Sequence, residues 1–297
     1  MKKVYWIVLG VVTAFLMIGT FADLRIAETV FNPGSQFGQF FSAAAMVPVW
    51  ALVPIAAGLM FGYLITCFDR LSRLWRVIGL SLLAFGIYIS VGMTAVMYGS
   101  RHLYGLPFNA LVYIVIALFL LTASLGAYAS REYPEAVFSA AVVGIVAVSG
   151  GRLLLEILKN TWGRQRFWTM DNPAAQFTAW YLPQFPDAAR IAEMGDYIKS
   201  FPSGHSLAAI NVLWLSMFPS FLGFCRKNEK AWTNCFAVFA LCFWLPVMAS
   251  RMILGEHFLS DVSLSAIAFI IVFFLINEFV GKFSPKINRR NYFGNGG

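Results

Sequence analysis

An all-α bundle of membrane-crossing helices is the fold this sequence predicts, and three observations carry the prediction. Hydrophobic residues fill 59% of the 297 positions and charged residues only 12%, far from the balance of a soluble domain. The apolar residues gather in runs close to the ~20 positions that a bilayer core demands. The polar residues gather in three islands at the ends of such runs: 159–166 (KNTWGRQR), 202–205 (PSGH) and 250–261 (SRMILGEHFLSD).

The first apolar run, 4–21, follows Lys2 and Lys3. It lacks a small-residue cleavage site and is long enough to span, so it reads as a retained anchor. Residues 23–45 are mixed, with Asn32-Pro33-Gly34-Ser35 as a turn signal ahead of Phe37, Phe40 and Phe41. That pattern predicts an amphipathic segment on the membrane surface. Runs follow at 46–66, 77–98, 107–129 and 136–158, then at 206–224, 232–249 and 262–280, for about eight spans. Pro48 and Pro54 are kink points that membrane helices tolerate. The long connection 167–201 is rich in Trp, Tyr, Phe and Pro and reads as an interfacial cap over a site. Two regions are expected: 1–135 with N-terminal spans and the outer-face segment, and 136–297 with a catalytic core and the 167–201 cap.

Cytoplasmic loops carry the excess of Lys and Arg. With the N-terminus inside, Lys2, Lys3, Arg70, Arg73, Arg76, Arg131, Arg226, Lys227, Lys230, Lys282, Lys286, Arg289 and Arg290 share that side. Both termini are therefore expected inside and all three islands at the outer face, an arrangement that suits a bacterial inner membrane and would look similar in an endoplasmic reticulum protein with a lumenal site. The net charge of +8 is then a topology signal, and nucleic acid is not an expected partner. Cys67, Cys225, Cys235 and Cys242 read as small hydrophobes rather than a disulfide framework or a metal site.

Each island carries residue types suited to an anion. Lys159, Arg164 and Arg166 close the fifth run on the side where flanking positive charge is disfavoured. Arg152, Glu156 and Lys159 share a helical face and are expected to form a buried, structural ladder. In the second island, Pro202 suits a first helical turn, and Ser203 and Gly204 let backbone N–H groups approach a phosphate oxygen. His205 titrates near neutral pH and suits a proton donor. In the third, His257 and Asp261 lie four apart on one helical face, and Arg251 reaches the same place across Gly255. A carboxylate fixing one imidazole nitrogen would leave the other as nucleophile or base.

Together the islands resemble the type 2 phosphatidic acid phosphatase family, whose signature runs K-x6-R-P, P-S-G-H and S-R-x5-H-x3-D. The matching residues are Lys159 and Arg166, then Pro202 to His205, then Ser250, Arg251, His257 and Asp261; Phe167 replaces the family's final proline of the first motif. The family's usual core has three spans before the first motif, where five are expected here.

The resemblance implies a polytopic helical core that removes the terminal phosphate of a membrane lipid phosphate or diphosphate. It gives His257 the attack on phosphorus and Asp261 the hold on its ring. His205 protonates the leaving group, and Lys159, Arg166, Arg251 and the N–H groups of Ser203 and Gly204 clamp the phosphate oxygens. No metal or cofactor is implied. A lipid phosphotransferase built on the same phosphohistidine, or a transporter or scaffold, remain alternatives at this point, and oligomeric state is unspecified.

Overall fold

The computed structural model describes residues 3–99 and 106–285. Lys2, Lys286, Arg289 and Arg290, used above for orientation, lie outside these residues. The chain begins with α1 (Lys3–Val30), longer than the expected 4–21. Residues 23–30 continue this helix instead of opening a surface segment. Asp23 points inward, 3% exposed, and finds partners in the site.

The 32–35 turn forms as expected, and Ser35 caps α2 (Gln36–Ala44) by accepting from the Gly38 N–H at 3.1 Å. Then come α3 (Met46–Cys67), with Pro54 inside it, α4 (Arg73–Gly99), α5 (Phe108–Ala129) and α6 (Pro134–Trp162). The aromatic connection holds the short α7 (Pro173–Gln176) and α8 (Ala188–Met194). After it, α9 (Gly204–Ile210) runs into a 3-10 helix, Asn211–Ser220, followed by α10 (Gly223–Arg226), α11 (Glu229–Ile253) and α12 (Leu259–Phe283).

Seven helices among the described residues are long and apolar enough to cross a membrane. The expected run at 206–224 differs from them: it is α9 followed by the 3-10 segment, not one long α-helix. At about 1.5 Å and 2.0 Å of rise per residue, the two pieces together reach about 30 Å, the thickness of a hydrocarbon core. The indole of Trp214 anchors this segment, donating from Nε1 to the Ala140 carbonyl at 2.8 Å.

The packing centres on this unusual element. α9 touches α3, α6, α11 and α12, while α1 lies against α11 and α12 and α3 packs on α4, α5 and α6. The interior is filled by large side chains such as Tyr63, Trp214, Trp244, Phe269 and Phe273. Lipid is as apolar as that interior, so close van der Waals contact and hydrogen bonds hold the helices together. One such bond runs from Trp244 Nε1 to Ser206 Oγ at 2.7 Å. Outward, α1, α5 and α12 present Phe21, Leu121 and Leu275. The C-terminal ends of α6 and α11 and the N-terminal ends of α9 and α12 meet at one end of the bundle, and the three islands meet there with them.

Candidate active site

Backbone hydrogen bonds join the three islands. α6 stops at Gly163, whose φ of +64° is the left-handed conformation that glycine adopts without strain. The chain then doubles against the end of the cap: Arg166 N donates to Tyr197 O at 2.8 Å and Ser200 N to Arg164 O at 2.9 Å. Ser203 N donates to Asp261 O at 3.3 Å, and Trp168 N to Gly255 O at 3.2 Å. Gly255, at φ +68°, turns the chain between α11 and His257.

His257 sits at the centre, 2% exposed. Its Nδ1 meets the Ser200 carbonyl. A carbonyl only accepts, so Nδ1 carries the proton and Nε2 keeps its lone pair. Burial holds the imidazole well below its ordinary pKa of 6.5, and the charges of Arg251, Arg166, Lys159 and His205 act in the same direction. The ring is therefore neutral near pH 7.

Asp261 does not hold this ring directly, as the sequence led us to expect. Its fully buried carboxylate accepts from Ser200 Oγ at 2.6 Å, from Phe258 N at 2.8 Å and from Arg164 Nη1. Ser200 relays the hold: its hydroxyl is fixed by Asp261 and its carbonyl fixes His257. Arg164 is 1% exposed and each of its three guanidinium nitrogens has an acceptor. It donates from Nε to Thr178 O at 2.9 Å, from Nη1 to Ser260 Oγ at 2.9 Å and from Nη2 to Asp23 Oδ2 at 2.9 Å. The Phe258 ring lies 4.2 Å from its Cζ. Asp23 completes the arrangement by accepting from Ser260 N at 2.9 Å, an N–H that the first turn of α12 leaves without an internal partner.

The other two arginines are held more loosely. Arg166 pairs through Nη1 with Glu256 and through Nη2 with Asp196 at 3.8 Å. Arg251 pairs through Nη2 with the same Glu256 oxygen at 3.6 Å and through Nη1 with Ser42. In both guanidiniums the Nε atom is buried with no hydrogen-bond partner among the described residues. Two buried N–H groups with nothing to donate to are what an anion would satisfy. Glu256, one residue before His257, is the carboxylate that neutralises them.

Lys159 closes the third side, its Nζ 4.0 Å from the point where a Cβ on Gly204 would stand. His205 follows Gly204 in the first turn of α9. The Ser203 N–H, expected to face phosphate, is already given to the Asp261 carbonyl. The N–H of Gly204, first residue of α9, has no acceptor within the helix. The expected buried ladder on α6 also changes: Arg152 and Glu156 bond at 2.8 Å, but both side chains are more than two-fifths exposed.

Phe167 packs where the family carries proline. Its ring lies 5.2 Å from Phe31 and 6.3 Å from Phe258, in a small cluster with Ala27 and Met170. The position thus docks α1 onto the start of α12. Above it the cap closes with Trp162 stacked on Phe201 at 4.6 Å and Trp180 donating to Thr20 Oγ1 at 3.0 Å. Trp168, Tyr181, Phe185 and Tyr197 stay exposed.

The structure thus brings Lys159, Arg166, His205, Arg251 and His257 together, with Asp261 one relay away. The sequence reading missed Asp23, Ser200, Glu256 and Ser260. For Asp23 a signal existed, since a carboxylate within a long apolar helix is costly unless it is used. For Glu256 the signal was its place beside His257. Ser200 acts through its carbonyl, which no side-chain pattern reveals. A family model described as the PAP2 superfamily matches residues 135–284, which is half of the chain and contains all three islands. No curated protein and no solved structure matches the chain. The chain is a multi-span membrane protein with a phosphatase-family domain, and it belongs to the PAP2 superfamily.

Proposed function

We propose that the chain is a phosphatase acting on the terminal phosphate of a membrane lipid through a phosphohistidine on His257. The observation that carries this reading is the His257 ring itself. It is neutral, held at Nδ1 by the Ser200 carbonyl, and set among Lys159, Arg166 and Arg251. Nε2 has a lone pair and the surrounding cations match the oxygens of a phosphoryl group.

In the first step the Nε2 lone pair forms a bond to phosphorus while the bond to the leaving oxygen breaks. His205 donates a proton to that oxygen. Arg166, Arg251, Lys159 and the Gly204 N–H meet the charge on the three equatorial oxygens. Arrival of the phosphate displaces Glu256 from Arg166 and Arg251. Water then attacks phosphorus, gives its proton to His205, and releases inorganic phosphate as the N–P bond breaks. Asp261 acts through Ser200, keeping the imidazole oriented as it gains charge. The expected outer-face location follows from the basic-residue bias and places the headgroup at the membrane surface, with the aromatic cap beside it.

Phosphate release from lipid phosphates by the detergent-solubilised chain, with EDTA present, tests this. Release by the native chain and none by His257→Ala is expected. Equal release by the two proteins contradicts the mechanism.

A further inference from the structure

A segment far from the three islands in sequence reaches the clamp. α2 and the turn before it precede residue 135, where the family match begins. They nonetheless pack around the turn that joins α11 to His257. Asn32 N donates to Ile253 O at 2.7 Å. The Phe31 ring crowds Gly255 so closely that a Cβ there would stand 2.6 Å from it, and a Cβ on Gly38 would stand 2.9 Å from the Leu254 side chain. One helical turn after Gly38, the Ser42 hydroxyl accepts from Arg251 Nη1. Residues 31, 32, 38 and 42 thus meet 255, 253, 254 and 251, the stretch that leads from Arg251 to His257.

The Ser42 contact decides which edge of the guanidinium is left for a ligand. A guanidinium presents paired donors along two edges, one made by Nη1 with Nη2 and one by Nη2 with Nε, and a phosphate binds best to both donors of an edge. With Nη1 given to Ser42, the pair that remains is Nη2 with Nε. Nη2 faces Glu256 at 3.6 Å, and Nε is buried without a partner among the described residues. The whole Arg251 side chain is buried, so this edge is directed into the site rather than to the surface. The chemistry of the holder matters too. A carboxylate in place of Ser42 would cancel the charge of Arg251, whereas a hydroxyl fixes the guanidinium plane and leaves that charge for phosphate.

We propose that Ser42 is a positioning residue for the reaction: by holding Nη1 it turns the Nη2 and Nε edge of Arg251 toward the phosphoryl oxygens, so that α2 completes the clamp. This rests on the phosphatase reading given above. Ser42 exchanges no proton and makes no bond to phosphorus. It acts on the transition state through Arg251, by keeping a long side chain in the one orientation that delivers two donors.

The test is a double-mutant cycle with two readouts: hydrolysis of a lipid phosphate that the native chain turns over, and titration with inorganic phosphate followed by the thermal midpoint. Ser42→Ala is expected to lower kcat/KM about tenfold and to weaken phosphate binding about fivefold, while Ser42→Thr, which keeps the hydroxyl, stays within about threefold of the native chain in both. In an Arg251→Gln background, Ser42→Ala should cost less than about twofold more, because the group it positions is gone. The same tenfold loss in both backgrounds would show that Ser42 works independently of Arg251 and overturn the assignment. So would an unchanged kcat/KM for Ser42→Ala, or a Ser42→Thr variant as impaired as Ser42→Ala. If the native chain binds inorganic phosphate but hydrolyses no lipid phosphate, the phosphatase reading falls and the phosphate titration alone decides whether Ser42 positions Arg251. A native chain that neither hydrolyses a lipid phosphate nor binds inorganic phosphate overturns both.

Discussion

Arg164 and Arg166 are two residues apart and lead different lives. Arg164 is sealed between Asp23, Asp261, Ser260 and the Thr178 carbonyl, with an aromatic ring against its face. Arg166 shares one carboxylate with Arg251, and each keeps a buried Nε without a partner among the described residues. A buried cation with two carboxylates and an acceptor at every nitrogen fits a scaffold role. An incompletely paired one is poised for a ligand. The same residue type, in the same island, is thus divided by its hydrogen bonds into a cation with acceptors at all three nitrogens and one with a buried donor to spare.

That division can be broken most forcefully at Arg164. Arg164→Gln leaves Asp23 and Asp261 as buried carboxylates without their cation, which costs about 3 to 5 kcal/mol of stability. A large fall in the thermal midpoint, with activity lost alongside it, is the expected result. A stable but inactive protein would move Arg164 into the functional group.

Arg251→Gln is expected to behave in the opposite way. On the proposed mechanism it removes a donor to the phosphoryl oxygens, and kcat/KM is expected to fall about 100- to 1,000-fold. The midpoint should stay near that of the native chain, because Arg251 carries no comparable set of bonds. Steady-state kinetics beside a melting curve separates the two effects, and a midpoint as low as that of Arg164→Gln would erase the distinction.

The smallest expected effect is on pH dependence. His257 is held below its ordinary value of 6.5 by burial and then by neighbouring cations. Below pH 6.5 the unfolded chain takes up a proton that the folded chain refuses, so stability falls with acidification by up to about 1.4 kcal/mol per pH unit. Above 6.5 this contribution is constant. His257→Gln should flatten the slope between pH 7.5 and 5.5 in denaturation measurements. For the same reason the acid limb that His257 imposes on kcat/KM should lie below pH 6.5.

Much of this was legible from spacing. Lys159, Arg166, His205, Arg251 and His257 converge, because each stands at a helix end that the apolar runs already marked. The sixth run, 206–224, was legible as apolar, but not as an α-helix that tightens into 3-10 geometry, since hydropathy carries no information about winding. The reach of α1 into the site was hidden for another reason. Asp23 pairs with Arg164 across 141 positions, and a single sequence does not register long-range partners. Asp261 was placed correctly but given the wrong contact: i,i+4 spacing puts it on the same face as His257, whereas residues 254–258 leave helical geometry and let the Ser200 carbonyl intervene.

The central claim is that His257 Nε2 takes the phosphoryl group, and rapid quenching with a lipid labelled in its terminal phosphate tests it most directly. The account predicts label on the protein that is stable in base and labile in acid, located at His257. It should be missing in His257→Gln. Label retained by His257→Gln, or turnover by the native chain with no labelled protein at any time, would contradict it.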